Sequence, residues 1–320
     1  MWIDIALALA GLVIVTVSAE RAVPALLGTA SGLGASVFLL SVVLLGFDLE
    51  NLAVGATAGL EGSAGLALGT ILGSAMVAVA LALGITAMIV PLKFHRVPKR
   101  ILALPVAAAA LLWALAADGR LSRIDGAILL SAYAAAVFGL LALSRRGVDV
   151  EGLDTAKRRV GAIAERRGGP LRSAGYLLLA LAGLAIGSEL LVRGAQDLIA
   201  AAGLSETVIG MSVIALAVSI EEVGRELPAA WRGHPEIALG NVVGSVFAFF
   251  LFNAGVIALI RPLPIDDLSR SFYLPAAIAT VVLLCGLLSL NRLTRAGGAI
   301  LILVYAAFVA GGGLLAVSGP

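Results

Sequence analysis

A nine-residue block occurs twice in this chain, as LALGTILGS ending at Ser74 and as IALGNVVGS ending at Ser245. Each copy lies behind a membrane-length apolar stretch that carries acidic residues. Sliding one half of the chain onto the other by 171 residues superposes Glu50 on Glu221, Gly62 on Gly233, Gly69 on Gly240, Gly73 on Gly244 and Ser74 on Ser245. Such a duplication constrains the chain to two related units that bury equivalent faces.

The solvent for those units is lipid. With 61% hydrophobic and 13% charged residues, and a mean hydropathy of +1.08, no ordinary water-facing surface can be built. Runs of about 20 residues, enough to cross a hydrocarbon core, are read at Ile3–Ala19, Ala30–Leu60, Ser63–Pro91, Ile101–Ala117, Ile124–Leu143, Ala174–Ala201, Glu206–Trp231, Ile237–Ile260, Phe272–Leu290 and Ala299–Val317. The predicted fold is therefore an all-α membrane protein of ten transmembrane helices. The opening Met1-Trp2-Ile3-Asp4 carries no basic segment, so the first span is expected to be a retained helix rather than a cleaved signal. Cys285, the single cysteine, lies in an apolar run and rules out an intramolecular disulfide.

Numbered in order, the odd connections hold sixteen basic residues and the even ones four. That bias places the odd connections in the cytoplasm and both termini outside, in an inner or plasma membrane. The basic residues are spread over short loops without interleaved aromatics, which argues against nucleic acid as a partner. The expected partners are the lipid bilayer and small cations; the oligomeric state is left open.

The polar stretch from Arg145 to Arg172 divides the chain into a first five-helix unit at 1–144, a cytoplasmic linker at 145–172 and a second five-helix unit at 173–320. Five is odd, so the second unit enters the membrane from the opposite side and the two repeats are inverted. Inverted repeats interrupted by glycine are the architecture of secondary transporters, with the binding site at the midplane.

The run from Gly187 to Val223, GSELLVRGAQDLIAAAGLSETVIGMSVIALAVSIEEV, followed by GHPEIALGNVVGS from Gly233, resembles the second repeat of the sodium/calcium exchanger superfamily of cation antiporters. AERAVPALLGTASGLGASVFLLSVVLLGFDLENLAVG, from Ala19, looks like a diverged first repeat. The resemblance implies ten helices in two inverted repeats, with ion-binding residues at breaks in the second, third, seventh and eighth. In that family each broken helix usually carries a Gly-Thr-Ser-Leu-Pro-Glu type motif whose glutamate binds the cation. Here Glu222 keeps the glutamate position and Ser219 the hydroxyl, while Asn51 stands where the first glutamate is expected. Glu50 and Glu221 replace the helix-breaking proline, Asn241 takes the amide or carboxylate position of the eighth helix, and Thr70 takes its partner position in the third.

Residue chemistry points to the same places without the family. Asp48, Glu50, Glu221 and Glu222 lie within apolar spans, where each carboxylate costs about 2.5–3.5 kcal/mol on insertion scales and is normally functional. Together with Asn51, Thr70, Ser219 and Asn241 they form an all-oxygen set suited to a hard cation such as Ca2+ or Na+, and unlike a zinc or copper site. Plainer roles compete. Glu221 with Arg225, and Glu189 with Arg193, have the acid-first i,i+4 spacing of a helix ion pair. The four neutral residues can simply bond between helices, and glycines four apart serve close packing. Glu20, Glu226, His95 and His234, near span ends, are expected to face water or head groups.

The function expected is a secondary active cation antiporter, exchanging calcium or another cation for protons or sodium by alternating access. A passive cation channel and a non-transporting scaffold with a degenerate site are the alternatives. No GxxxxGK[ST], HExxH or GxSxG is present, so neither an ATP-driven pump nor an enzyme is expected. No cofactor is expected beyond the transported cation, for which Ca2+, Na+ and H+ are the candidates.

Overall fold

The computed structural model describes residues 2–32, 48–94, 99–145 and 170–318. Among them are six helices long and apolar enough to cross a membrane, and a seventh if one bent pair counts as a span. The chain is thus an integral membrane protein of helices.

The first helix, α1 (Trp2–Gly32), is continuous where the sequence suggested a loop at Arg21. At 1.5 Å per residue it is about 46 Å long, well beyond the hydrocarbon thickness, so Glu20 and Arg21 are exposed without ending it. The expected second span, Ala30–Leu60, lies partly outside the described residues, and a new helix, α2 (Leu49–Glu61), begins behind Asp48. Next come α3 (Ala64–Ile89), α4 (Lys99–Ala116) and α5 (Arg123–Arg145). The linker expected at 145–172 lies outside the described residues except at its ends, and α6 (Pro170–Ala202) follows it.

The expected seventh span is two helices, α7 (Glu206–Ser219) and α8 (Glu221–Trp231), meeting at 49°. Ser205 caps α7 by accepting from Val208 N at 3.4 Å. At the bend the backbone tightens to a bond from Val223 N to Ile220 O of 3.2 Å. The last elements are α9, which starts at Pro235 and ends at Ile260, then α10 (Ser269–Leu288) and α11 (Arg295–Ser318).

Helices α3 and α9 form the buried centre, and α1 packs along α6 at the periphery. The α1–α6 contact depends on small residues, as membrane helix pairs do. A Cβ at Gly11 would stand 2.7 Å from Gly187 O, and one at Gly187 would stand 2.6 Å from Val15 N. Outward faces of both carry bare apolar side chains, among them Leu9, Val13, Leu178, Leu179 and Ile186, which suits lipid and not water. At the centre α3 crosses α7 with backbones in contact: a Cβ at Gly210 would lie 2.5 Å from Gly65 O.

The core helices are not regular. Helix α3 widens to π-helical turns at Gly69–Gly73 and Val77–Ala82, and α9 at Ala248–Asn253. The 171-residue slide carries Val77–Ala82 onto Ala248–Asn253. Wide turns of this kind are frequent at functional sites.

Two short antiparallel ribbons close the bundle. Strand β1 (Leu92–Lys93) pairs with β4 (Arg292–Leu293), Leu92 opposite Leu293. Strand β2 (Arg120–Leu121) pairs with β3 (Leu263–Pro264), Leu121 opposite Leu263. Each ribbon joins a connection of the first half to one of the second, and the same slide relates the two ribbons to within one residue.

Candidate functional site

Two helix starts far apart in sequence meet in the core. Asp48 precedes α2 in extended conformation and acts as its N-cap, accepting from Asn51 N at 3.0 Å through Oδ1. An acidic cap suits the four unpaired N–H groups and positive end of a helix start. Its other oxygen accepts from Asn51 Nδ2 at 2.6 Å. The same amide nitrogen reaches across to the α7–α8 break, 3.0 Å from Ser219 Oγ and 3.3 Å from Val218 O. The amide oxygen accepts from Ser74 Oγ on α3 at 2.5 Å. Asn51, Ser74 and Ser219 are wholly buried, and Asn51 joins three elements through one side chain.

The matching corner of the second half is charged. Glu222, in the first turn of α8 and 1% exposed, accepts from Asn241 Nδ2 of α9 at 2.6 Å and from Arg225 Nη1 at 3.3 Å. The hydroxyl of Ser245 bonds to it as well. Under the slide Glu222 takes the place of Asn51, and Ser245 that of Ser74. One half therefore holds an amide, and the other a carboxylate, at equivalent positions, each bonded to the equivalent serine.

Arg225 also holds Glu221, completing a guanidinium bridge over two adjacent carboxylates. The expected i,i+4 ion pairs are both present, Glu189–Arg193 at 2.6 Å on a more exposed face. Arg193 reaches Glu61 at 3.3 Å too, a partner the sequence did not disclose.

The eight candidate residues do not converge on one point. Asp48, Asn51 and Ser219 form one hydrogen-bonded group, with Ser74; Glu221, Glu222 and Asn241 form a second, with Arg225 and Ser245. Glu50 is buried but turned to α1, where Thr16 Oγ1 lies 2.8 Å away. Thr70 donates to its own helix at Ala67 O, 2.8 Å away, and lies against Gly55. Among the described residues no three Asp, Glu, His or Cys side chains are placed to hold a metal ion together.

Glu226 corrects the sequence reading. Expected to face water or head groups, it is wholly buried on the face it shares with Glu222, four residues earlier. Its Oε1 accepts from Asn241 Nδ2 at 3.2 Å, and its Oε2 has no partner. The i,i+4 spacing was the signal available in the sequence. Glu20 and His234 are exposed as expected, and His95 lies outside the described residues.

Comparison with known proteins agrees with this architecture. The family model for sodium/calcium exchanger protein matches residues 3–142 and 172–311. The chain is 29% identical to Inner membrane protein YrbG of Escherichia coli (strain K12) over 314 residues, 97% of this chain and 95% of that protein. It is 30% identical to CaxA of Alkalimonas amylolytica over 304 residues, 93% of this chain and 94% of that one. Among solved structures, the sodium-calcium exchanger NCX_Mj soaked with 2.5 mM Na+ and 0.1 mM Ca2+ superposes with a TM-score of 0.58 at 22% identity, covering 96% of this chain and 98% of that one. A likeness at that identity speaks for the fold, whereas the family match extends over both halves. The chain belongs to the sodium/calcium exchanger protein family, a family of transporters and not of enzymes.

Proposed function

We propose that this protein is a secondary active cation antiporter that exchanges calcium or another cation for protons or sodium by alternating access. The single observation that carries the reading is the meeting of the start of α2 with the break between α7 and α8, Asn51 Nδ2 lying 3.0 Å from Ser219 Oγ with Glu222 in the adjoining turn. Interrupted helices that turn polar groups toward each other in a membrane interior are how such transporters build an ion site. The relatives point the same way: Sodium/calcium exchanger MaX1 of Methanosarcina acetivorans is 31% identical over 134 residues, 42% of this chain and 38% of that one.

In this reading the chain forms ten spans in two inverted five-helix repeats, 1–144 and 173–320, joined by a cytoplasmic linker at 145–172. The cross-paired ribbons and the shared π-helical segment support it, since both follow the 171-residue correspondence. Both termini face outward, as the basic-residue bias requires. Residence in an inner or plasma membrane accords with the name of the Escherichia coli relative.

Glu222 is the principal cation ligand. Asp48, Asn51, Ser219 and Asn241 supply further oxygens, and Glu50, Thr70 and Glu221 join when the helices rearrange around the ion. Carboxylate ligands bind a cation in the ionised form, so binding releases protons and gives a route to proton exchange. No resident cofactor is needed, because the cation is cargo. Uptake of calcium into proteoliposomes, with sodium or pH gradients imposed separately, tests the proposal. Glu222→Gln is expected to abolish exchange in a protein that still purifies as a single species; full exchange by that variant would place the site elsewhere.

A further inference from the structure

Beside the Glu222 group is a second set of buried oxygens. Glu226 Oε2 and Thr86 Oγ1 are both enclosed, on residues with no exposed surface, and neither has a hydrogen-bond partner. The α8 segment bearing Glu226 packs directly on Leu83–Ile89 of α3, which bears Thr86. Asn241 stands between the two acids, its Nδ2 donating to Glu222 Oε2 at 2.6 Å and to Glu226 Oε1 at 3.2 Å.

The other half shows how this corner looks without ligand chemistry. Under the 171-residue slide Glu226, Asn241 and Thr86 correspond to Gly55, Thr70 and Ile257. There the space is filled by packing: a Cβ at Gly55 would stand 2.7 Å from Ile257 Cδ1 and fall onto Thr70 Oγ1. All three positions differ together, glycine to carboxylate, hydroxyl to amide and isobutyl-sized side chain to hydroxyl. A corner closed by Ile257 and Thr70 in one half thus carries a carboxylate, an amide and a hydroxyl in the other.

Unpaired oxygens are expensive to bury, a carboxylate oxygen most of all. Arg225 binds Glu221 and Glu222 with its guanidinium and reaches Glu226 only through its field. The amide of Asn241 brings no charge, and neither would a bridging water. We infer that Glu226, Thr86 and Asn241 form a second cation site, distinct from that at Glu222 and suited to a hard monovalent ion of sodium's class. One carboxylate and the Thr86 hydroxyl, joined by the Asn241 oxygen once that amide turns over from the donor orientation it holds here, match a single positive charge. They fall well short of the six to eight oxygens that calcium takes. The shared amide of Asn241 couples the two sites, since its Nδ2 donates to both acids and turning its oxygen toward an ion at either one breaks both bonds.

The inference rests on the reading of the chain as a cation antiporter, and its test separates the two. Sodium binding to purified full-length protein is measured by retention of radioactive sodium and by the sodium-dependent shift in thermal midpoint. N-methylglucamine chloride replaces sodium chloride at constant ionic strength. Glu226→Gln is expected to weaken sodium binding by about tenfold or more, as loss of a charged ligand should. Thr86→Val is expected to weaken it by about fivefold, and it decides the matter if Glu226→Gln fails to fold. Calcium-dependent stabilisation, read in the same samples, should stay within about twofold of the parent in Thr86→Val. Sodium curves for the folded variants that match the parent overturn the second site, whatever Glu222→Gln does to transport. Full transport by Glu222→Gln, with sodium binding still lost at Glu226, overturns the Glu222 assignment and leaves this one standing.

Discussion

The amide nitrogen of Asn51 lies 3.0 Å from the hydroxyl oxygen of Ser219, although 168 residues separate them. The contact joins the start of α2 to the break between α7 and α8, and it is the tightest point of meeting between the halves of the candidate site. A substitution here tests the site and the fold together.

Asn51→Asp places a carboxylate where the other half has Glu222, and sets it against Asp48, whose Oδ2 now accepts from the amide at 2.6 Å. Like charges so close destabilise the empty protein, while a bound divalent cation reverses the effect. The expected outcome is a lower thermal midpoint without calcium and a larger calcium-induced rise than in the parent. Asn51→Leu should lower the midpoint with or without calcium, because Ser74 and Asp48 lose their buried partner at about 1–3 kcal/mol each.

Arg225 is a tethered cation over Glu221 and Glu222. Arg225→Met should tighten apparent cation affinity several-fold, because the ion no longer competes with the guanidinium. Stability of the empty state should fall by about 1–3 kcal/mol, less than for a fully buried pair because Arg225 is 40% exposed. Calcium titrations of the thermal midpoint read both quantities. Weaker binding in the variant would show instead that Arg225 helps to shape the site.

Close approach of α3 to α7 predicts a contrast between two glycines. A Cβ at Gly69 would fall onto the backbone carbonyl of Gly210, whereas one at Gly224 meets nothing within 4 Å. Gly69→Ala should cost about 1–3 kcal/mol through overpacking and reduce the monodisperse fraction after extraction. Gly224→Ala should be neutral or stabilising by up to about 1 kcal/mol, since alanine favours the helix. Size-exclusion profiles after graded heating distinguish them.

Orientation is checked with single cysteines at the exposed residues Lys93 and Ser205, after replacement of the buried Cys285 by alanine. An impermeant thiol reagent applied to intact cells should label Ser205→Cys and spare Lys93→Cys. The opposite pattern would invert the topology.

The helical membrane class and the ion pairs of Glu221 with Arg225 and Glu189 with Arg193 were legible, because insertion into lipid leaves a strong mark: long apolar runs in which each charge stands out. Side-chain direction was not legible. Glu50 and Asn51 are neighbours in sequence, yet one turns to Thr16 on α1 and the other to Ser219, because successive residues point about 100° apart around a helix. Asp48 offered no sign that it would cap a helix, since an aspartate at a break serves equally well as cap or ligand. Glu226 was misjudged through its distance from the span end at Trp231. That distance measures depth only along a straight helix, whereas the chain bends by 49° at Ile220, six residues before Glu226, which is wholly buried.

The two strand ribbons divide the molecule mechanically. One joins the α3–α4 connection to the α10–α11 connection, and the other joins the α4–α5 connection to the α9–α10 connection, so hydrogen bonds stitch these helices into a frame at both ends. Helices α1 and α6 take no part in either ribbon, and they lie against each other along glycine-lined faces with lipid outside. Sliding that pair along the frame breaks no strand pairing. It does disturb the bond from Thr16 on α1 to Glu50 at the start of α2, so a displacement at the periphery registers directly on a buried carboxylate one residue from Asn51.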